Sequence, residues 1–111
     1  MTIQYKSEVF NLTTTNLTTV LTISTSAVAI VKTVQASHQD ASNVDADLYL
    51  KKSGGSDVEI GHAQLNKSMV NMIVNTLNLE AGDVIKMQAS SANEITGAVS
   101  YALIDRSQEN G

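Results

Sequence analysis

Two histidines and a group of aspartates are the residues of this sequence whose types could do chemistry. His38 stands near Asp40, Asp45 and Asp47, and carboxylate oxygens of this kind can bind calcium. Calcium takes roughly six to eight oxygen ligands, however, and the segment has neither the EF-hand pattern nor a glycine-pivoted loop. His62 is distant from His38 in the sequence, and no acid–base helix motif accompanies either histidine. Asp45 and Asp47 are explained as the wet face of a strand, and we expect no metal site.

Two glycine-containing stretches could be mistaken for functional loops. The stretch SGGS, residues 53–56, follows Lys52 and resembles a phosphate cradle, but it lacks the Gly-Lys-Ser/Thr ending and the following helix. It predicts a hairpin turn. The stretch LEAGDVI, residues 79–85, predicts a tight turn in which Gly82 takes a positive φ and Asp83 bonds nearby backbone N–H groups. No Gly-x-Ser-x-Gly elbow occurs. We expect no catalytic residue, no cofactor and no enzymatic activity.

Three Asn-x-Ser/Thr triplets, at Asn11, Asn16 and Asn66, would accept sugars only in a chain that enters a glycosylating compartment. The start of the sequence shows no cationic segment followed by an apolar one, which would indicate a secretory signal. The first two triplets lie in NLTTTNLTTV, a run of β-branched residues that suits a pleated sheet. We therefore interpret them as strand-forming residues and expect synthesis in a reducing cytoplasm.

Length and composition exclude several classes of protein. The chain has 111 residues, no cysteine and a net charge of −4, which predicts one domain over residues 1–111 without disulfides or thiolate metal sites. No basic run exceeds Lys51–Lys52, so a nucleic-acid surface is not expected. The longest apolar run, residues 27–31, is far shorter than the roughly 20 residues that cross a bilayer. Residues 1–6 and 106–111 could be flexible termini.

The clearest strand is predicted over Val44 to Lys51, because apolar and polar residues alternate there with a period of two. The dry face would contain Val44, Ala46, Leu48 and Leu50, and the wet face Asp45, Asp47, Tyr49 and Lys51. After the turn at residues 53–56, the segment 57–65 resumes an extended pattern, which predicts a hairpin.

Three further segments predict strands. The segment 26–38 is apolar on both sides at its start, with Val28, Ile30 and Val34 on one face, which is typical of a central strand or of one that passes through an assembly contact. Met69 to Val74 is too short for a helix and is predicted as a strand. In the segment 94–105, one face would contain Ile95, Val99, Tyr101 and Leu103, with Gly97 at a bend.

Short strands separated by turn signals, with no convincing helix, predict an all-β fold. We expect an antiparallel β-sandwich of about eight strands, either a jelly roll or immunoglobulin-like. The pattern does not separate these topologies. With only three tyrosines and one phenylalanine in the chain, the core must consist of Val, Ile, Leu, Ala and Met.

The order of these segments resembles a group of small virion structural proteins of tailed bacteriophages. The matching phrases lie within residues 7–105 and are LTTV (17–20) leading into AVAIVK (27–32), VDADLYL (44–50), LEAGDVIK (79–86) and VSYAL (99–103). Each phrase alone is a pattern typical of strands and turns, and the resemblance rests on the order in which the phrases occur. Proline and a long basic arm are absent, so the resemblance does not tell how this chain would hold its neighbours.

The resemblance implies a non-enzymatic viral protein of the virion, made in the host cytoplasm. Its role would be capsid decoration, as a cement protein, or a part of the neck or tail. The partners would be other virion proteins, such as major capsid, neck or tail subunits, and copies of itself in an oligomer. The expected subunit contacts are Tyr5, Phe10, Tyr49, Lys51, Gly54 and Gly55. The alternative is a β-sandwich module that binds carbohydrate or a host surface, and an enzyme is the third option.

Overall fold

The computed structural model describes residues 2–38, 43–65, 70–74 and 76–105, which form nine β-strands. They are β1 (Thr2–Leu12), β2 (Thr18–Thr22), β3 (Ala27–His38), β4 (Val44–Lys51), β5 (Asp57–Leu65), β6 (Val70–Val74), β7 (Leu77–Leu79), β8 (Val84–Ala89) and β9 (Ile95–Asp105). The described residues form no helix that could cross a membrane. The predicted all-β class is confirmed.

The strands build two antiparallel sheets packed face to face. Sheet A has the order β1-β9-β3-β6, and sheet B has the order β2-β8-β4-β5. The short strands β6 and β7 pair with different parts of β3 and share one edge position. Each sheet therefore has four strand positions, and the predicted total of about eight is confirmed.

The pairing pattern distinguishes the two topologies that the sequence left open. β1 pairs with β9, β2 with β8, β3 with β6 and β7, and β4 with β5. These pairs nest inside one another like a long folded ribbon, and additional β3–β9 and β4–β8 pairing closes each sheet. A nested ribbon of eight antiparallel positions wrapped into two sheets is a jelly roll. An immunoglobulin-like sandwich groups its strands differently.

The face prediction for β3 is wrong in its second half. Ala27, Ala29 and Val31 point into the core as alternation requires, but Val34 is buried with them, whereas it was predicted on the face of Val28 and Ile30. The register against β9 shifts between Val31 and Thr33. Such a bulge adds one residue and reverses the alternation after it. The predicted central position is confirmed, because β3 lies between β9 and the β6–β7 edge.

The core consists mainly of aliphatic side chains and alanines, as predicted. Its fully buried large members include Leu12, Leu48, Ile85, Met87 and Ile95, and Tyr101 is the one aromatic side chain that is buried, at 5% exposure. Many alanines face the interior, so the two sheets meet across small side chains. This arrangement makes the core sensitive to added volume.

Candidate functional site

Three large apolar side chains of β1 are exposed on the outer face of sheet A. Ile3 is 55% exposed, Tyr5 81% and Val9 83%. They share one face because successive strand residues alternate in direction. We call Ile3, Tyr5 and Val9 the β1 stripe. Scattered apolar residues are normal on a protein surface, but three on one face of an edge strand make that face a candidate contact surface.

The β1 stripe continues across the sheet at one end. Ile104 of β9 lies beside Ile3 on one side and Val28 of β3 on the other. In the next row, Ala102 lies between Tyr5 and Ile30, and Ile30 is 37% exposed. The outer face of sheet A therefore has an apolar end.

The other edge of β1 has no strand partner within the described part of the chain. Among the described residues, β1 pairs only with β9, in an unbroken register from Thr2 to Leu12. A long, regular edge without proline or a bulge is a template for pairing with another strand. Residues 2–6, predicted as part of a flexible terminus, belong to this strand, while 106–111 lie outside the described residues.

The inner face of β1 is charged where it extends beyond the core. Lys6 and Glu8 line a cleft of about 390 Å³ between β1 and β2, together with Tyr101. The Tyr101 hydroxyl donates to Glu8 Oε1 at 3.3 Å. Burial raises the pKa of Tyr101, and the neighbouring Glu8 raises it further. The edge strand therefore shows an apolar face outward and a charged face inward.

Sheet B carries a different cluster on its outer face. Asp47, Glu59 and His62 place their ligand-type atoms within 4.8 Å of one another. Glu59 and His62 lie on the same face because a bulge in β5 shifts the register between Leu48 and Tyr49. His62 Nδ1 forms a short hydrogen bond with Asp47 Oδ1. This bond, together with the charge of Asp47, raises the pKa of His62.

This cluster is the arrangement in the described residues that could hold a metal ion. An imidazole and two carboxylates are ligands that zinc accepts, whereas calcium needs roughly six to eight oxygens. The expectation of no metal stays a prediction. His38, which stands near Asp40, Asp45 and Asp47 in the sequence, does not belong to this cluster. His38 is fully buried in sheet A, with Nδ1 3.2 Å from the Glu94 carbonyl oxygen, and Asp40 lies outside the described residues.

Sequence reasoning missed the pairing of Asp47 with His62, although part of its signal was present. The predicted hairpin places residues 44–51 opposite residues 57–65, so Asp47 had to lie opposite the middle of the second strand. The bulge that brings in Glu59 coincides with a change of phase in the apolar pattern, from Val58 and Ile60 at even positions to Ala63 and Leu65 at odd ones, and this signal was also missed.

A buried aspartate joins two turns at one end of the sandwich. Asp83 is 1% exposed and accepts hydrogen bonds from Lys52 Nζ at 2.5 Å, the Glu80 N–H at 2.8 Å and the Ser53 N–H at 3.2 Å. Burial by itself would raise the pKa of the Asp83 carboxyl, but these hydrogen bonds hold it below its usual value. The predicted turn is confirmed, with Gly82 at φ 82°. These contacts hold the two turns together.

The six predicted contact residues do not form one surface. Tyr5 is in the β1 stripe, whereas Phe10 points to the inner face of β1 and packs against the core. Tyr49 and Lys51 are half-buried on the outer face of sheet B. Gly54 and Gly55 are in the exposed β4–β5 turn, where Gly54 has φ 77°. Their role as contacts stays a prediction.

The structure also shows the surroundings of two glycosylation triplets and of Gly97. Asn11 and Asn16 are exposed, on β1 and in the loop after it, and Asn66 lies outside the described residues. Gly97 lies against the Phe10 ring and the backbone of β3, since a Cβ there would be 2.5 Å from Phe10 Cζ and 2.2 Å from the Gln35 carbonyl oxygen. The glycine is required for this close approach.

No protein-family model matches the sequence, and no curated protein matches it. Among solved structures, the chain is similar to one from the acid-stable capsid of Helicobacter pylori bacteriophage KHP30, with 8% identity, a TM-score of 0.61, and coverage of 96% of this chain and 90% of that one. It is also similar to a chain of Bacillus endospore appendages, described as disulfide-linked pili, with 10% identity, a TM-score of 0.52, and coverage of 95% and 88%.

A third similar structure is that of infectious bursal disease virus, Gx strain. The identity is 9%, the TM-score is 0.50, and the match covers 95% of this chain but 34% of that one. The chain thus spans about a third of this viral protein. Likeness at such low identity establishes the fold alone, a β-sandwich that this chain shares with all three structures.

Proposed function

We propose that the chain is a non-enzymatic structural subunit of a bacteriophage particle. It binds neighbouring virion subunits, either as a decoration or cement protein on the capsid or as a connecting part of the neck or tail. The β1 stripe carries this proposal, because Tyr5 and Val9 are more than four-fifths exposed on an edge strand. Contact with a neighbouring subunit would cover these apolar side chains and so stabilise the assembly, whereas in an isolated chain they stay in water.

The comparison with the phage capsid chain supports this role. That match covers 96% of this chain and 90% of the other, so the two are of similar size and one sandwich accounts for nearly all of each. The absence of cysteine fits a protein that is made in a reducing host cytoplasm and that acts in the virion. The fold is stabilised by its apolar core without disulfide bonds.

The test is to find the protein on particles and to remove it through the β1 stripe. Mass analysis of purified virions is expected to detect its peptides. Virions that lack the protein are expected to rebind the purified chain, and Tyr5→Ser with Val9→Ser is expected to weaken that binding about tenfold or more.

The matched control is Val58→Ser with Ile60→Ser, which removes two exposed apolar side chains from the edge of sheet B. This control is expected to rebind like the wild type. Peptides absent from purified virions, or equal loss of binding in both double variants, would contradict the proposal.

One observation favours a second candidate, a module that binds carbohydrate or a host surface. The Tyr49 ring lies on the outer face of sheet B, directly opposite Glu59 and two residues from Asp47, and an aromatic ring beside carboxylates is a common sugar-binding arrangement. Binding on a glycan array that Tyr49→Ala abolishes would favour this candidate. A rise in melting temperature with calcium would do the same.

A further inference from the structure

We propose that β1 pairs antiparallel with β1 of a second copy, around a two-fold axis that passes through Ser7. The two sheets A then form one continuous sheet across the dimer. This inference deepens the proposed function by naming the contact between like subunits, and it can be tested on the purified chain without any particle.

The free edge of β1 is suited to such pairing. The strand has eleven residues, and its register with β9 is unbroken from Thr2 to Leu12. Its opposite edge has no strand partner in the described ranges, and backbone N–H and C=O groups that point outward from an edge strand are free to bond another chain. Symmetric pairing of identical edges is the simplest closed contact.

The side chains of β1 select the register. Around an axis at Ser7, Lys6 of each copy lies opposite Glu8 of the other, so two pairs of opposite charges form. On the outer face, Tyr5 of each copy lies opposite Val9 of the other. Aromatic–aliphatic and opposite-charge pairs across strands are both favourable.

The neighbouring registers are less favourable for an electrostatic reason. In an antiparallel pair, residues that lie directly opposite each other place their side chains on the same face of the sheet. For two identical strands, a two-fold axis must therefore pass through a residue and not between two residues. With the axis at Lys6, the Lys6 side chains of the two copies lie opposite each other. With the axis at Glu8, the two Glu8 side chains do. Like charges directly opposite each other are destabilising. The Ser7 axis is the one of these three that avoids both repulsions.

The same register explains the exposed apolar residues. Tyr5 is 81% and Val9 83% exposed in the single chain, although both belong to a strand whose alternation should leave its solvent face polar. In the dimer each covers part of the other across the axis. The cleft beneath β1 keeps the inward Lys6 and Glu8 accessible from that side.

Charge exchange tests the pairing. The wild type is expected to sediment as a dimer in analytical ultracentrifugation. Lys6→Glu places two glutamates opposite each other, and Glu8→Lys places two lysines, so each single variant is expected to raise the dissociation constant about tenfold or more. The double variant with both changes restores opposite charges and is expected to dimerise like the wild type.

Mixing the two single variants gives an independent readout. A Lys6→Glu chain opposite a Glu8→Lys chain again has opposite charges at both positions, so heterodimers are expected from two weakly associating proteins. A wild-type monomer at all concentrations would overturn the proposal. A double variant that stays dissociated, with no heterodimer in the mixture, would also overturn it.

Cross-linking tests the register directly, because the chain has no cysteine of its own. Ser7→Cys places two thiols across the axis, where paired Cα atoms lie about 4.5–5.5 Å apart, within the range that disulfides span. Val9→Cys is the matched control, since Val9 lies on the same strand and the same face. In this register its two copies are more than about 10 Å apart.

Oxidation is expected to cross-link Ser7→Cys efficiently and Val9→Cys poorly, and the reverse result would assign another register. The two proposals fail separately. A cross-linked dimer that is absent from virions would refute the virion role and leave the pairing intact. A monomer that rebinds particles would refute the pairing and leave the role intact.

Discussion

The carboxylate of Asp83 remains charged at a position where only 1% of the residue is exposed. Desolvation of a charge is costly, so this charge persists only because Lys52 and two backbone N–H groups surround it. Lys52 also contacts Glu80 at 2.7 Å. Since the Lys52 side chain is 48% exposed, it can rehydrate if its partner is lost.

Asp83→Asn is expected to lower the free energy of unfolding by about 1–3 kcal/mol at neutral pH, because the ion pair and one acceptor are lost. The folded-state pKa of Asp83 lies below its unfolded value, so its contribution is complete above about pH 4 and is lost as the pH falls through the folded pKa. Thermal melts followed by circular dichroism should show a gap between the two proteins that narrows below pH 4.

The control for this prediction is Asp57→Asn, whose carboxylate lies 3.1 Å from Lys86 Nζ and whose side chain is 33% exposed. We expect it to cost less than about 1 kcal/mol. A gap between wild type and Asp83→Asn that stays constant down to pH 2 would contradict the assignment of the acid-sensitive charge to Asp83.

Gly97→Ala is expected to destabilise the protein by about 3 kcal/mol or more, because the added methyl would overlap the Gln35 carbonyl oxygen and the Phe10 ring. The Gln35 carbonyl belongs to the backbone of β3, so it cannot turn aside as the end of a flexible side chain could. Ser100→Ala, at the same strand but on its outer face, serves as the control and should be nearly neutral. Chemical denaturation measures both, and a neutral Gly97→Ala would show that β3 and β9 are less closely spaced.

At the scale of elements, two turns meet at one end of the sandwich. The β4–β5 turn contains Ser53 and Gly54, and the turn before β8 contains Gly82. Both glycines have positive φ, but their surroundings differ. A Cβ on Gly54 would meet nothing within 4 Å, whereas one on Gly82 would lie 2.9 Å from Ser53 Oγ.

Gly54→Ala is therefore expected to cost only the left-handed conformation, about 1–2 kcal/mol. Gly82→Ala should cost about 1 kcal/mol more, because the new methyl also presses on the other turn. The comparison of the two melting curves is the measurement. Equal losses would mean that the turns do not constrain each other.

At the scale of the whole molecule, the two sheets share one core. Val99 from sheet A and Leu48 from sheet B are both fully buried in the same cluster. Neither sheet can keep its inner face dry without the other, since each covers one side only. The chain should therefore unfold in a single cooperative transition.

Leu48→Ala is expected to lower the free energy of unfolding by about 2–5 kcal/mol, and Val99→Ala by somewhat less, because each leaves a cavity. Both should shift the guanidinium midpoint without splitting the transition or changing its slope. Two separate transitions in either variant would show that the sheets unfold independently.

The sequence predicts those features of the fold that depend on residues close together along the chain. The strand over Val44 to Lys51, its hairpin and the Gly82–Asp83 turn were all readable, because alternation and turn chemistry act within a few residues. The sequence by itself thus determined the class of fold and most of the strands. It also supplied Tyr5 and Tyr49 as candidate contacts, without saying that they lie on opposite sheets.

Only the tertiary structure decided which strands are neighbours, and with it the jelly-roll topology. A strand's backbone can bond any other strand, so the pairing of Thr2 with Asp105 leaves no local mark. The bulges that redirect Val34 and bring Glu59 beside His62 mark the sequence only as a change of phase in the apolar alternation, which does not say which strand lies opposite. The exposure of the β1 stripe follows from the position of β1 at a sheet edge. That position is a property of the assembled fold, because burial depends on which residues arrive from elsewhere in the chain.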